Sequence, residues 1–325
     1  MKKSSLNSKL RSGAALMLAL WALFLLSAMV ISWALDIDSR LAVSGNASRV
    51  LDAEAMASSG ADVALHPLIK PDSANLHGQM GKHEGYDVKM IGECGRLNLN
   101  FLAQGEDPTK LEILRHYLSL KGVELNNIDT MVDSLLDWVS PGQGIHHLNA
   151  CPETDDYRPA HAALTSVDDL KKVCGWAEFT AKPGWDEDFS VVTNCTCIDL
   201  GWASRDVLRA LGLGDDKVDQ FLQLRRGPDG IDGTADDLQI SAAASGPGLS
   251  QAACGQPPEE IKAALGLNLP PPNQPPMLDL LGFNLPVFRV VSVGKSGDVS
   301  RTVQMVVSKL GGAGGRPLIV SWKEL

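Results

Sequence analysis

The stretch RSGAALMLALWALFLLSAMVISWALD, residues 11–36, decides how the chain must be read. Lys2, Lys3, Lys9 and Arg11 precede it, and no acidic residue occurs before Asp36. Residues 14–35 carry no charge. At a rise of about 1.5 Å per residue they make a helix of about 33 Å, enough to cross the hydrocarbon core of a bilayer. A secretory signal would have a shorter apolar stretch, followed by a small-residue cleavage site. Here the small residue, Gly13, stands before the apolar run. Cations before the run and Asp36 and Asp38 after it predict a cytoplasmic N-terminus, with the bulk of the chain outside.

The helical pattern continues past the membrane. Leu41, Val50, Leu51, Ala55, Ala61, Val63, Ala64 and Leu65 recur at helical spacing, and Pro67 and Pro71 stop it. Gly45 and Gly60 each weaken such a helix by about 1 kcal/mol relative to alanine. EGYDVKMIG then alternates as a strand, with Tyr86, Val88 and Met90 on one side. VFRVVSV and RTVQMVVSK flank the turn residues Lys295, Ser296, Gly297 and Asp298 as a hairpin, and LIVSWKEL supplies a last strand after the glycines of residues 311–315. Four antiparallel strands against one long helix is therefore the expected frame. Everything between is an insertion.

That insertion is predicted to be helical and internally repeated. In CIDLGWASRDVLRALGLGDDKVDQFLQLR, Ser204 caps a helix carrying Val207, Leu208 and Leu211. Gly212 and Gly214 turn the chain, and Val218, Phe221 and Leu222 mark a second helix. A weaker copy places Ile113, Leu114, Tyr117 and Leu118 before Met131, Leu135, Leu136 and Trp138. Ser166 and Asp169 read as a capping box. The two-helix unit has two readings. One is a helix–hairpin–helix offering backbone N–H groups to a nucleic-acid phosphate; the other is an architectural hairpin. Asp215 and Asp216 follow the turn, and the chain has a net charge of −10, which falls to −14 once Lys2, Lys3, Lys9 and Arg11 are removed. Nucleic acid is accordingly not expected as a partner.

The acidic loop RRGPDGIDGTADDLQ gathers Asp229, Asp232, Asp236 and Asp237 among glycines. Calcium, which takes six to eight oxygens on a flexible loop, is one reading; a solvated acidic turn is the other. Asp155, Asp156, Asp215 and Asp216 are weaker candidates. Six cysteines, Cys94, Cys151, Cys174, Cys195, Cys197 and Cys254, fit disulfides in an oxidising compartment, with pairing left open. His146 and His147 in GQGIHH are expected to point opposite ways on a solvated loop. No nucleophile elbow, phosphate-binding glycine loop or metalloprotease helix occurs, so no enzyme and no catalytic residue are expected. The runs SAAASGPGLSQAACGQPPEE and LNLPPPNQPPML read as linkers.

Taken in order, the leader ending in glycine with its apolar helix, EAMASSGADVAL, GRLNLN, DSLLDWVSPG, LTSVDDLKKVCG and LIVSWKEL resemble the general secretion pathway protein K family, the large minor pseudopilins of type II secretion. The resemblance implies an α+β, type IV pilin-like fold: a long N-terminal helix on a small antiparallel sheet, with a large, mostly α-helical domain inserted. It divides the chain into a prepilin leader (1–13), a transmembrane helix (14–35), the pilin-like helix and first strand (36–97), the insertion (98–284) and the C-terminal strands (285–325). It implies cleavage by a prepilin peptidase after Gly13, N-methylation of Ala14, and an inner-membrane anchor carrying a periplasmic head. It also implies a non-enzymatic place at the tip of a periplasmic filament. The partners would be minor pseudopilins I and J, the major pseudopilin and the inner-membrane secretion platform. No cofactor is implied beyond a structural calcium in some relatives. Two positions depart from the family pattern. Leu18 stands where most pilin-like chains have glutamate, and Ser140 stands where a second acidic residue usually follows the tryptophan motif.

Overall fold

A computed structural model of the chain describes residues 6–142, 146–238, 257–267, 276–309 and 316–325. Cys254, most of both proline- and glycine-rich linkers and the glycines of residues 311–315 lie outside the described residues. The N-terminal helix α1 (Leu6–Leu65) is 60 residues long and ends just before Pro67, which cannot continue it. Strands β1 (His77–Gln79) and β2 (Glu84–Gly92) follow as an antiparallel pair. The short β1 is not legible in the sequence and adds a fifth strand to the expected four.

The chain then enters the insertion with β3 (Leu97–Asn98), α2 (Leu99–Ala103), α3 (Pro108–Leu120) and α4 (Leu125–Val139). It continues through α5 (Ala177–Thr180), β4 (Phe189–Ser190), β5 (Ile198–Asp199), α6 (Arg205–Ala210), α7 (Asp215–Arg225), α8 (Glu259–Ala264) and β6 (Leu281–Gly282). The sheet is completed by β7 (Val287–Ser296), β8 (Val299–Ser308) and β9 (Leu318–Glu324), in the order β1-β2-β7-β8-β9. Every pairing in it is antiparallel. Gly297, at φ 59°, leads the two-residue loop between β7 and β8, where a positive φ is needed.

Helix α1 meets the sheet only through its second half. Ala53, Ala57, Ala61 and Ala64 are fully buried against Val88, Met90, Val290, Val303, Met305 and Val307. Leu41 and Leu51, which periodicity placed on the packing face, are exposed instead. The true face is built from small residues because helix and strand backbones come close. A Cβ on Gly60 would sit 2.5 Å from the Ser292 hydroxyl oxygen, and one on Gly294 would collide with the Ala53 carbonyl and the Ala57 amide. Ser292 donates its hydroxyl to the Ala57 carbonyl at 2.6 Å across this contact.

The insertion has its own core, in which Trp176, Phe179, Phe189 and Tyr117 pack edge to face. The two predicted helical hairpins are present as α3–α4 and α6–α7, and the expected apolar residues of each are buried. Ser204 caps α6 by accepting the Val207 N–H, and Asp107 caps α3 by accepting the Thr109 N–H. The capping box at Ser166 and Asp169 starts a 3-10 turn (Val167–Lys172). Lys172 beside Asp169, with the Thr165 and Ser166 donors, holds that carboxyl at about 2. Ser166→Ala is expected to cost about 1 kcal/mol in thermal unfolding, the usual worth of an N-cap.

Disulfides join Cys94 to Cys195 and Cys151 to Cys174; Cys197 is also disulfide-bonded. The first packs beneath Val287 and Val306, where the insertion covers the far face of the sheet. Two buried carboxylates bind insertion to sheet at the same seam. Glu93, fully buried, accepts from Arg289 Nε and Nη2 at 2.7 and 2.8 Å and from the Ser190 hydroxyl at 2.6 Å. Asp199, also fully buried, accepts the N–H groups of Gly201, Asn284 and Leu285 at 2.9, 2.8 and 2.6 Å. Neither carboxylate stood out in the sequence. The only available signal was an acid directly abutting an apolar strand, as in MIGEC.

Candidate functional site

The first candidate surface is that of α1. Its first part is long and apolar enough to cross a membrane by length and composition. Leu16, Leu20, Trp21, Phe24, Ile31 and Trp33 are all more than half exposed, so nothing among the described residues covers them. Gly13 and Ala14 fall inside α1. Leu18 is 71% exposed, and an apolar side chain there cannot neutralise a neighbouring amine.

The acidic loop follows α7 and is organised by hydrogen bonds and arginines. Arg225, only 3% exposed, donates to the Leu200 and Ala203 carbonyls and, through Nε and Nη2, to Asp232 at 3.0 Å each. Arg226 reaches the same carboxylate at 3.0 Å. Asp229 accepts the Ile231 N–H, Asp236 accepts the Asp229 N–H and the Thr234 hydroxyl, and Asp237 accepts the Gly233 N–H. Among the described residues, no three or more His, Cys, Asp or Glu side chains are placed to hold one metal ion. The Asp232 charge is balanced by two guanidinium groups. Asp232→Ala is therefore expected to destabilise the fold by about 2–3 kcal/mol, since it strips a nearly buried arginine of its partner; denaturant unfolding measures this.

The α6–α7 hairpin has the shape of a phosphate-binding turn but not its electrostatics. Asp215, at the start of α7, pairs with Arg205 at 3.3 Å and Arg209 at 2.6 Å, and Asp219 takes Arg205 at 2.8 Å. Arg205 and Arg209 are thereby committed to carboxylates of the same hairpin.

Helix α4 carries the densest polar cluster. Asp133 and Asp137 lie one turn apart on its buried side and hold the segment that follows. Asp137 accepts from His146 Nδ1 at 2.8 Å and from His147 Nδ1 at 2.5 Å, as well as from the His147 backbone N–H at 3.1 Å. Asp133 accepts the Asn149 backbone and side-chain N–H groups at 3.0 and 2.9 Å. The expectation that His146 and His147 diverge is thus overturned. Both rings turn toward one carboxylate, Asp137. Glu106 Oε2 lies 3.5 Å from His147 Nε2. Burial works against a charge on His147, but Asp137 and then Glu106 outweigh it and hold the imidazole above its ordinary value.

No family model matches the sequence, and no curated protein does. A solved structure does match, over 89% of this chain and 98% of the matched chain, with a TM-score of 0.56 at 13% identity. It is the crystal structure of the GspK-GspI-GspJ complex from the enterotoxigenic Escherichia coli type 2 secretion system. At that identity the match speaks to fold. The chain has the fold of a subunit of that secretion complex: a long apolar helix on an antiparallel sheet, interrupted by a large helical insertion.

Proposed function

We propose that this chain is a minor pseudopilin of a type II secretion system. In this reading α1 anchors it in the inner membrane, and its periplasmic head caps the tip of a short filament together with two smaller pilin-like subunits equivalent to I and J. The supporting observation is a fold likeness that runs through the sheet and the insertion together, so that it is not the common pilin frame alone. Its role is structural, without catalysis. The bulk of the insertion on the head, and Leu18 in place of a carboxylate near the cut, suit a subunit above which no other is placed. Divisions at 97/98 and 284/285, processing between Gly13 and Ala14, N-methylation of Ala14, the cytoplasmic N-terminus and contacts with the major pseudopilin and the secretion platform belong to the same reading.

The test is the N-terminal mass of the membrane-extracted protein after co-expression with a prepilin peptidase, followed by co-purification with two smaller pilin-like chains. A chain that starts at methylated Ala14 and retains both partners supports the tip role. An intact N-terminus, or a cut beyond residue 35, removes it. Calcium at Asp229, Asp236 and Asp237 is tested separately by equilibrium dialysis of the full chain. Binding that survives Asp236→Ala unchanged rules out this loop.

A further inference from the structure

The cluster on α4 has a construction that neither anchoring nor capping uses. Residues 146–149 are fixed to α4 through polar contacts, and apolar burial in the segment begins only at Ala150. His147 and Asn149 are held by Asp137 and Asp133, and the Cys151 N–H is accepted by the Ser134 hydroxyl at 3.2 Å. Between the two pinned neighbours Leu148 is 93% exposed, so no apolar burial helps to hold the segment down there. Its far end is tied separately by the disulfide from Cys151 to Cys174. Attachment of the near end therefore depends on the state of a few titratable groups.

We propose that residues 146–151 form a proton-operated clasp, which closes on α4 while His147 is protonated and loosens when it is neutral.

The geometry gives the reason. His147 lies between two carboxylates, Asp137 at Nδ1 and Glu106 at Nε2. An imidazolium has two N–H donors and serves both; a neutral imidazole has one and serves only one, leaving the other nitrogen's lone pair against a carboxylate. Asp137 is nearly buried, with 4% of its side chain exposed, so the loss of a countercharge is poorly compensated by water. Glu106 is presented from a tight turn, at φ 51° after Gly105 at φ 75°, which keeps its carboxylate near the ring. Among the described residues, the other titratable groups at the cluster are His146, on the second oxygen of Asp137, Asp133, which holds Asn149, and Tyr157 with Glu153, the former within the field of Asp137. Because the closed state holds the proton more tightly than an open chain would, its advantage is fully present below the ordinary imidazole value of about 6.5. That advantage fades as pH rises through the elevated folded value.

The experiment is amide hydrogen exchange on the full chain in detergent, at about pH 5.5 and about pH 8.5, with rates corrected for intrinsic chemistry. The amides of His147, Asn149, Ala150 and Cys151 are expected to lose protection severalfold at the higher pH, while those of α3 and the sheet keep theirs. Glu106→Gln, at a half-exposed position outside the packed core, is expected to move the transition to lower pH. His147→Gln is expected to abolish the pH response. Protection that is equal at both values in the wild type overturns the clasp. So does a pH response that persists unchanged in both variants.

Discussion

Gly294→Val is expected to detach the long helix from the head. Any side chain at this position of β7 points into the α1 backbone, meeting the Ala53 carbonyl oxygen and the Ala57 amide nitrogen. Backbone cannot move aside as a side-chain tip can, so relief requires shifting a whole helix away from the sheet. That shift would open the contacts of Ala57, Ala61 and Ala64 with Val290, Met305 and Val307 and stretch the bond between Ser292 and Ala57. Overpacking typically costs about 1–3 kcal/mol, and a clash with helix backbone is expected to cost at least about 3 kcal/mol, a large share of the stability of an ordinary domain. The measurement is denaturant unfolding of the full chain, followed by tryptophan fluorescence and by limited proteolysis of α1. The control is Gly45, a glycine of α1 away from the sheet. A Cβ on Gly45 would meet no atom within 4 Å, and Gly45→Ala is expected to raise helix content without loss of stability. Gly60→Ala, against Ser292, Val88 and Tyr86, is expected to behave like a mild version of Gly294→Val.

Removing the Glu93 carboxylate is expected to have a comparable effect, at the seam between insertion and sheet. Arg289 of β7 makes a two-pronged contact with Glu93, and Ser190 of β4 adds a third hydrogen bond. Arg96 approaches to 4.0 Å and is itself largely buried; burial and then the neighbouring Arg289 disfavour its charge, whereas Glu93 favours it. Glu93→Ala leaves two arginines facing one another with their shared counterion gone. Breaking one side of a buried pair costs about 3–5 kcal/mol, because the surviving charge cannot reach water. A paired replacement separates this from simple loss of packing. Glu93→Leu combined with Arg289→Met is expected to recover a substantial part of the loss in the same unfolding assay, since no uncompensated charge remains on that strand. If the double variant is no better than Glu93→Ala, the ion pair is not what holds the seam.

The contrast between Gly45 and Gly60 also marks how far the sequence could be read. Local pattern was enough for the elements whose cause is local. Residues 14–35 read as helical because an uncharged run of this length, placed in hydrocarbon, would have to satisfy its backbone hydrogen bonds internally. Tyr86, Val88 and Met90 alternate because a strand has a period of two, and Gly297 marks the hairpin because only a positive φ closes its loop. Ser204 and Ser166 announced their helices through caps that bind only two or three residues ahead. The helical insertion was legible for the same reason, down to the apolar faces of its two hairpins.

Other features belong to partners distant in sequence, and no spacing rule reaches them. The alanine-rich face of α1 is read correctly at Ala61 and Ala64, but periodicity also puts Leu41 and Leu51 on it, and these are exposed. The fold selects for closeness of backbones, which favours Ala53 and Ala57 opposite Gly294 and Gly60 opposite Ser292. His146 and His147 were expected to diverge because adjacent residues do so on extended chain. The segment is instead held by Asp137 and Asp133 on α4, across 9 to 16 positions. Glu93 finds Arg289 across 196 positions and Asp199 finds Leu285 across 86. The sequence by itself determined the long apolar helix, the strands, the shorter helices and their caps, because those follow from interactions within a few residues. Only the tertiary structure decided which small residues let helix and sheet approach and which buried carboxylates join insertion to sheet. Both depend on desolvating groups that meet only after the chain has folded.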